Sequence, residues 1–176
     1  EVLRVSRAVE PMDIALLVDD SAAAESAVVP MRAALRMFVA AMAEGNQIAV
    51  ITLADRPTVR VEYTSNLRQL ESGVGSVFAQ SNSGMTLLDA IFEATRGLLR
   101  RETPRAAIVA VINDGPEFTN RHHRQVVDAV KEAGAQLHAV TVGNFYAGGN
   151  NEVRERDFLL DIGTKESGGQ RIALLS

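Results

Sequence analysis

The run Ile14 to Val18 constrains this chain most, because it is apolar throughout and ends abruptly on Asp19-Asp20-Ser21. A short continuous run without alternation describes a strand buried on both faces, as in the middle of a parallel sheet. Oxygen-bearing side chains just past the carboxyl end of such a strand stand where open α/β sheets bind their ligands. Ile48 to Leu53 and Ala106 to Ile112 have the same form, and the latter also stops on polar residues, Asn113-Asp114-Gly115.

Between these runs, apolar residues recur at helical spacing. Val28, Met31, Leu35, Phe38, Val39 and Met42 form one stripe, closed by Glu44-Gly45-Asn46. Leu67, Leu70, Val74, Val77 and Phe78 mark a second helix, weakened by Gly73 and Gly75. Leu87, Leu88, Ile91, Phe92, Leu98 and Leu99 mark a third, and Val126, Val127, Val130 and Ala133 a fourth. Leu137 to Val142 then reads as a strand, Gly143 to Asn151 as a glycine- and asparagine-rich loop, and Phe158, Leu159 and Ile162 as the inner face of a last helix before a strand over Gln170 to Leu174.

Thr58 to Tyr63 is different, because Val59, Val61 and Tyr63 alternate with Arg60 and Glu62. That is the period of a strand with one wet face. It follows the second strand after a connection of hairpin length, so it is expected as an antiparallel edge strand. The whole pattern predicts a doubly wound α/β fold of the Rossmann-like kind: a six-stranded, mainly parallel sheet with helices on both faces. The common strand order 3-2-1-4-5-6 would bring the tips ending at Asp19 and Asp114 side by side.

A chain of 176 residues suits one domain, read here as a lead-in over Glu1–Met12 and an α/β domain over Asp13–Ser176. A net charge of -4 gives no reason to expect nucleic acid or an anionic membrane as partner. Without cysteine, disulfides, thiolate metal sites and thiol nucleophiles are excluded. No apolar run approaches the ~20 residues of a membrane span, so direct membrane insertion is not expected. The chain opens on Glu1 rather than a methionine, which points to a piece of a longer protein.

The strand tips offer carboxylates and hydroxyls, a donor set that suits Mg²⁺, Mn²⁺ or Ca²⁺ rather than zinc or copper. These residues carry a resemblance. An Asp-x-Ser-x-Ser segment after the first strand, a Gly-Gly-Thr-x-x-x-Asp-Ala segment and a Thr-Asp-Gly or Ser-Asp-Gly turn after the fourth strand form the metal-ion-dependent adhesion site of von Willebrand factor type A domains. From about Asp13 to Leu174 the sequence resembles that family, most of all its bacterial and often exported members. Matching pieces include Ile48-Ala-Val-Ile-Thr-Leu-Ala-Asp55, Met85-Thr-Leu-Leu-Asp-Ala-Ile91 and Gln136-Leu-His-Ala-Val-Thr-Val-Gly143. The resemblance implies Asp19, Ser21, Thr86 and Asp114 as metal residues, with Mg²⁺ or Mn²⁺ as the cation. It also implies a monomeric, non-enzymatic protein-binding or adhesion module in an extracytoplasmic setting, whose partner contributes an acidic side chain to the cation.

Departures from the pattern are specific. Ala23 replaces the second serine, Met85 stands for glycine and Asn113 for threonine or serine, while Asp20 adds a carboxylate beside the site. Loss of a directly bound hydroxyl should weaken the metal at least as much as the ~10–100-fold cost of changing the groups behind the ligands. A dead metal site on a structural or scaffold domain is therefore the alternative. A metal-assisted hydrolase lacks a triad, a second carboxylate cluster and a phosphate loop. A phosphoacceptor receiver fails on order, since Thr86 precedes Asp114 and the turn after Val142 has no lysine.

Local readings also exist for these residues. Ser21 can cap a helix, Thr86 with Asp89 can form a capping pair, and Asp114-Gly115 is a common turn. The adjacent His122 and His123 are expected to point to different faces and so to be a solvated pair that shares no metal, and His138 to be a core histidine. Arg96, Arg100, Arg101 and Arg105 surround a helix end, where positive charge suits the helix dipole.

Overall fold

A computed structural model describes residues 10–143 and 150–174 of the chain. Most of the expected lead-in, and residues 144–149 of the expected loop, lie outside the described residues. The elements follow as β1 (Asp13–Val18), α1 (Val28–Met42), β2 (Gln47–Thr52), β3 (Thr58–Thr64), α2 (Leu67–Gly75), α3 (Leu87–Arg101), β4 (Ala106–Asn113), α4 (His123–Glu132), β5 (Ala135–Val142), α5 (Asn151–Phe158) and β6 (Arg171–Leu174). A 3₁₀ turn, Ala22–Ala24, follows β1, and a π-type stretch, Leu159–Gly163, continues α5.

The six strands form one sheet in the order β3-β2-β1-β4-β5-β6, parallel except for β3. β1 is buried over its whole length, as its unbroken apolar run requires. On one face Leu17, Ile91, Ile108 and Leu137 pack with α3 and α4; on the other Leu16, Leu35, Val50 and Val74 pack with α1 and α2. On the α1 side an apolar groove of about 420 Å³ remains open, lined by Phe38, Val111, Val142 and Leu174 among others.

The edge strand departs from its expected pattern. Opposite β2, the pairs run Ile48↔Thr64, Val50↔Val61 and Ile51↔Val59, so two irregularities interrupt the ladder. Each extra residue reverses which face the next side chain meets. Val61 therefore packs on the α2 side, while Tyr63 packs on the α3 side and Arg101 stacks over its ring at 4.3 Å. Alternation alone would have placed Val61 and Tyr63 together.

The same strand explains Gly73, which propensity marks as a weak point in α2. A methyl built there would stand 2.1 Å from Val61 Cγ2, so the absent side chain lets α2 lie against β3. Gly73→Ala should thus destabilise the protein by about 1–3 kcal/mol through overpacking, against the ~1 kcal/mol that helix propensity alone would return. Urea unfolding measures this, and Val61→Ala in the same chain should recover part of the loss.

Candidate functional site

Strand ends place the polar residues. β1 and β4 are parallel neighbours with Val18 opposite Val111, so Asp19 and Asn113 leave the same end of the sheet. Asp19 is buried, and its Oδ1 accepts from Ser21 N at 2.9 Å. Its Oδ2 accepts from Asn113 N at 2.9 Å and from Asn113 Nδ2 at 3.2 Å. Asn113, which has no hydroxyl, therefore grips Asp19 through its amide.

Asp20 turns the other way. Its Oδ1 accepts from Leu53 N at 3.0 Å and Ala54 N at 2.8 Å, and its Oδ2 from Gln80 Nε2 at 2.8 Å, with Arg60 Nη2 at 3.4 Å. The extra carboxylate thus joins β1 to the end of β2 and to the loop before Thr86. It is no substitute for the hydroxyl missing at Ala23.

Thr86 is buried, and both its N and its Oγ1 donate to Leu53 O, at 3.0 and 2.8 Å. The hydroxyl keeps its lone pairs. Ser21 Oγ is buried with no hydrogen-bond partner among the described residues. Neither side chain caps a helix, which removes the local reading of both. The amide of Leu87, the first residue of α3, instead donates to Glu117 Oε2 at 3.2 Å.

At the tip of β4, Asp114 meets a residue that the sequence pattern did not single out. Arg156, buried on α5, donates from Nη2 to Asp114 Oδ1 at 3.0 Å and from Nη1 to Gly115 O at 2.7 Å. Gly115 is needed for this turn to approach Ala23, since a methyl there would stand 2.5 Å from Ala23 Cβ. Asp19, Ser21, Thr86 and Asp114 therefore lie on loops held together at one end of the sheet. Toward a hard cation, the Ser21 and Thr86 hydroxyls fit as donors, and the Ser21 oxygen is an orphan that such an ion would satisfy. Asp114 already has a resident positive partner.

Two further groups escaped the sequence reading. Glu117 is fully buried, accepting from Leu87 N, Thr119 N and Thr119 Oγ1, and burial pushes its carboxyl up to about 7. His122 and His123 do not diverge. Their rings stack with centroids 4.4 Å apart, and both face Glu155 of α5. His122 is still in extended backbone (ψ 135°) before the helix starts, so the divergence expected of successive helical residues does not apply. His138 is half-buried, and burial lowers its pKa. In the arginine group, Arg101 pairs with Asp13 at 2.5 Å, and Arg105 donates to Glu10 O at 2.9 Å.

A sequence profile of the von Willebrand factor type A domain matches residues 14–117. No curated protein matches. Among solved structures, the conserved hypothetical protein BatB from Bacteroides thetaiotaomicron is similar with a TM-score of 0.71 at 18% identity, over 94% of this chain and 91% of that one. An aerotolerance-related membrane protein from Bacteroides fragilis gives 0.71 at 18% identity, over 93% and 91%. The vWF domain of the type V pili tip protein Mfa5 from Porphyromonas gingivalis gives 0.67 at 9% identity, over 96% and 91%. At these identities the likeness is one of fold.

Glu117 yields a prediction with a defined sign. A carboxyl whose folded pKa is raised from 4.5 to about 7 holds its proton longer in the folded state, so its stabilisation is greatest at low pH and is lost as pH rises toward about 7. Raising the pH from about 5 to about 8 should cost the native protein about 2–3 kcal/mol relative to Glu117→Gln. Urea unfolding of the two proteins at both pH values checks this; parallel profiles would contradict it.

Proposed function

This chain belongs to the von Willebrand factor type A domain family, a family of protein-interaction and adhesion modules, and we propose that it acts as a non-enzymatic protein-binding module through the loop face built on Asp19–Ser21, Thr86 and Asp114. The observation that carries this reading is how the buried acids are used. Asp19 and Asp20 accept hydrogen bonds from the backbone of neighbouring loops, so they shape a rigid platform instead of activating a nucleophile. Type A domains often bind a divalent metal. Here Ser21 and Thr86 would hold Mg²⁺ or Mn²⁺ through their hydroxyls, with Asp19 and Asp114 supplying charge. Bound there, the cation would offer an electrophilic position to an acidic side chain of the partner.

Two features weaken that cation. Ala23 removes one hydroxyl, and Arg156 neutralises Asp114 from inside the protein. The second feature also supports a different reading, a scaffold domain with a dead metal site that binds partners through another surface. For location, the similarity to a membrane protein and to a pili tip protein supports an extracytoplasmic bacterial setting. Among the described residues, no helix is long and apolar enough to cross a membrane.

Melting curves in millimolar Mg²⁺ or Mn²⁺ separate the readings. The native protein should shift little, whereas Ala23→Ser should raise cation affinity by about tenfold or more and melt visibly higher, since binding at a hundredfold excess over Kd contributes ~2.7 kcal/mol. Asp114→Ala in the Ala23→Ser chain should abolish the shift. A strong response of the native protein would mean the site works as it stands. No response from either would favour the scaffold reading. Assayed against phosphate and peptide esters with metal present, the protein should show no turnover above the blank; turnover that disappears in Asp114→Ala would overturn the non-enzymatic reading.

A further inference from the structure

We propose that His122, His123 and Glu155 form a second metal site, one for Zn²⁺ or a similar imidazole-seeking ion, separate from the strand-tip oxygens. One ligand atom from each of the three residues lies within 4.8 Å of the other two. Glu155 turns one oxygen to each ring: Oε2 lies 2.7 Å from His123 Nδ1 and Oε1 lies 3.8 Å from His122 Nε2. Ligands bound at 2.0–2.1 Å to a tetrahedral zinc stand about 3.3 Å apart, between these two separations. Ligation asks His123 Nδ1 and Glu155 Oε2 to part from hydrogen-bond distance and the two stacked rings to rotate toward a common ion.

The backbone holds the group ready. His123 N donates to Glu155 Oε2 at 2.8 Å, which fixes the carboxylate at the start of α4. Phe158 packs on the His123 ring at 5.2 Å, and the ring itself is buried. Beside it lies a small cleft of about 110 Å³ lined by Thr119, Asn120, Asn151, Glu152 and Arg121, whose guanidinium pairs with Asp89, with room for water to complete the coordination. Two imidazoles and a carboxylate are the donors that select zinc, nickel, cobalt or copper over magnesium.

Coordination has two identifiable costs: the 2.7 Å hydrogen bond between His123 Nδ1 and Glu155 Oε2 is given up when both atoms turn to the metal, and so is a bond at His122. His122 Nδ1 accepts a bond from Arg124 N at 3.3 Å, and ligation through Nε2 puts the proton on Nδ1, so that bond is given up. It is a long one, and Gln125 N still donates to the His122 carbonyl at 3.1 Å. The Mg²⁺ site and this one share no ligand, so either can fail alone.

The test uses the chelator-stripped protein and Zn²⁺ alone, followed by calorimetry and melting. One Zn²⁺ should bind per chain and raise the melting temperature, while Mg²⁺ at the same concentration should not compete. His122→Ala, at an exposed ring outside the core, and Glu155→Gln should each weaken Zn²⁺ by at least about tenfold. Asp114→Ala should leave it unchanged, and Co²⁺ in place of zinc should give the visible bands of a nitrogen-ligated tetrahedral ion. Lack of saturable binding, or binding that survives unchanged in either His122→Ala or Glu155→Gln, would reduce the cluster to an ion pair and overturn the proposal.

Discussion

Two adjacent buried carboxylates, Asp19 and Asp20, hold the functional end of this domain together. β1 runs between β2 and β4, and its last residues diverge toward both. Asp19 accepts from the end of β4, and Asp20 accepts from the two amides that follow β2. Losing either side chain would leave buried amides without partners, at about 1–3 kcal/mol for each. The loops carrying Thr86 and Asp114 inherit their positions from these contacts, because Thr86 hangs on Leu53 and Asp114 follows Asn113. A motif usually discussed for its metal is, in this chain, first a clamp across three strands.

The central strands were legible because burial on both faces leaves an unambiguous mark, an apolar run cut off by polar residues. Strand order is the one such six-stranded sheets commonly adopt, and connection length marked only the antiparallel edge strand. Alternation in Thr58–Tyr63 correctly marked an edge strand, but the bulges depend on how β3 meets β2 and leave no local sign. Arg156 and Glu117 were hidden for a related reason. An arginine in a highly charged helix reads as solvated, and only the tertiary fold carries it 42 positions back to Asp114. Asp20 was visible as an extra acid, yet the direction of its side chain is set by β2, which no spacing rule reports.

The pair of Arg156 and Asp114 changes the electrostatics of the oxygen cluster. A buried carboxylate needs a compensating charge, which a divalent cation or a guanidinium can each supply. The guanidinium is always present and cannot be washed away, and it also holds the Gly115 carbonyl. Where a cation would leave an open coordination position for a partner's acid, Arg156 is buried and commits its guanidinium to Asp114, the Gly115 carbonyl and Asp157. Ala23 and the internal guanidinium act in the same direction: the first offers a cation one hydroxyl fewer, and the second already balances Asp114.

Both clusters converge on α5, whose composition explains why. Of Asn151 to Phe158, only Val153 and Arg156 are buried, so this helix has little apolar surface to fix it until Leu159 and Leu160 follow. Its position rests on polar anchors: Asn150 capping Val153 N at 3.0 Å, Glu155 on His123, and Arg156 on Asp114. Glu155 and Arg156 are neighbours in sequence yet reach different loops. Apolar packing is indifferent to ions and protons, whereas a helix seated by three polar contacts is not.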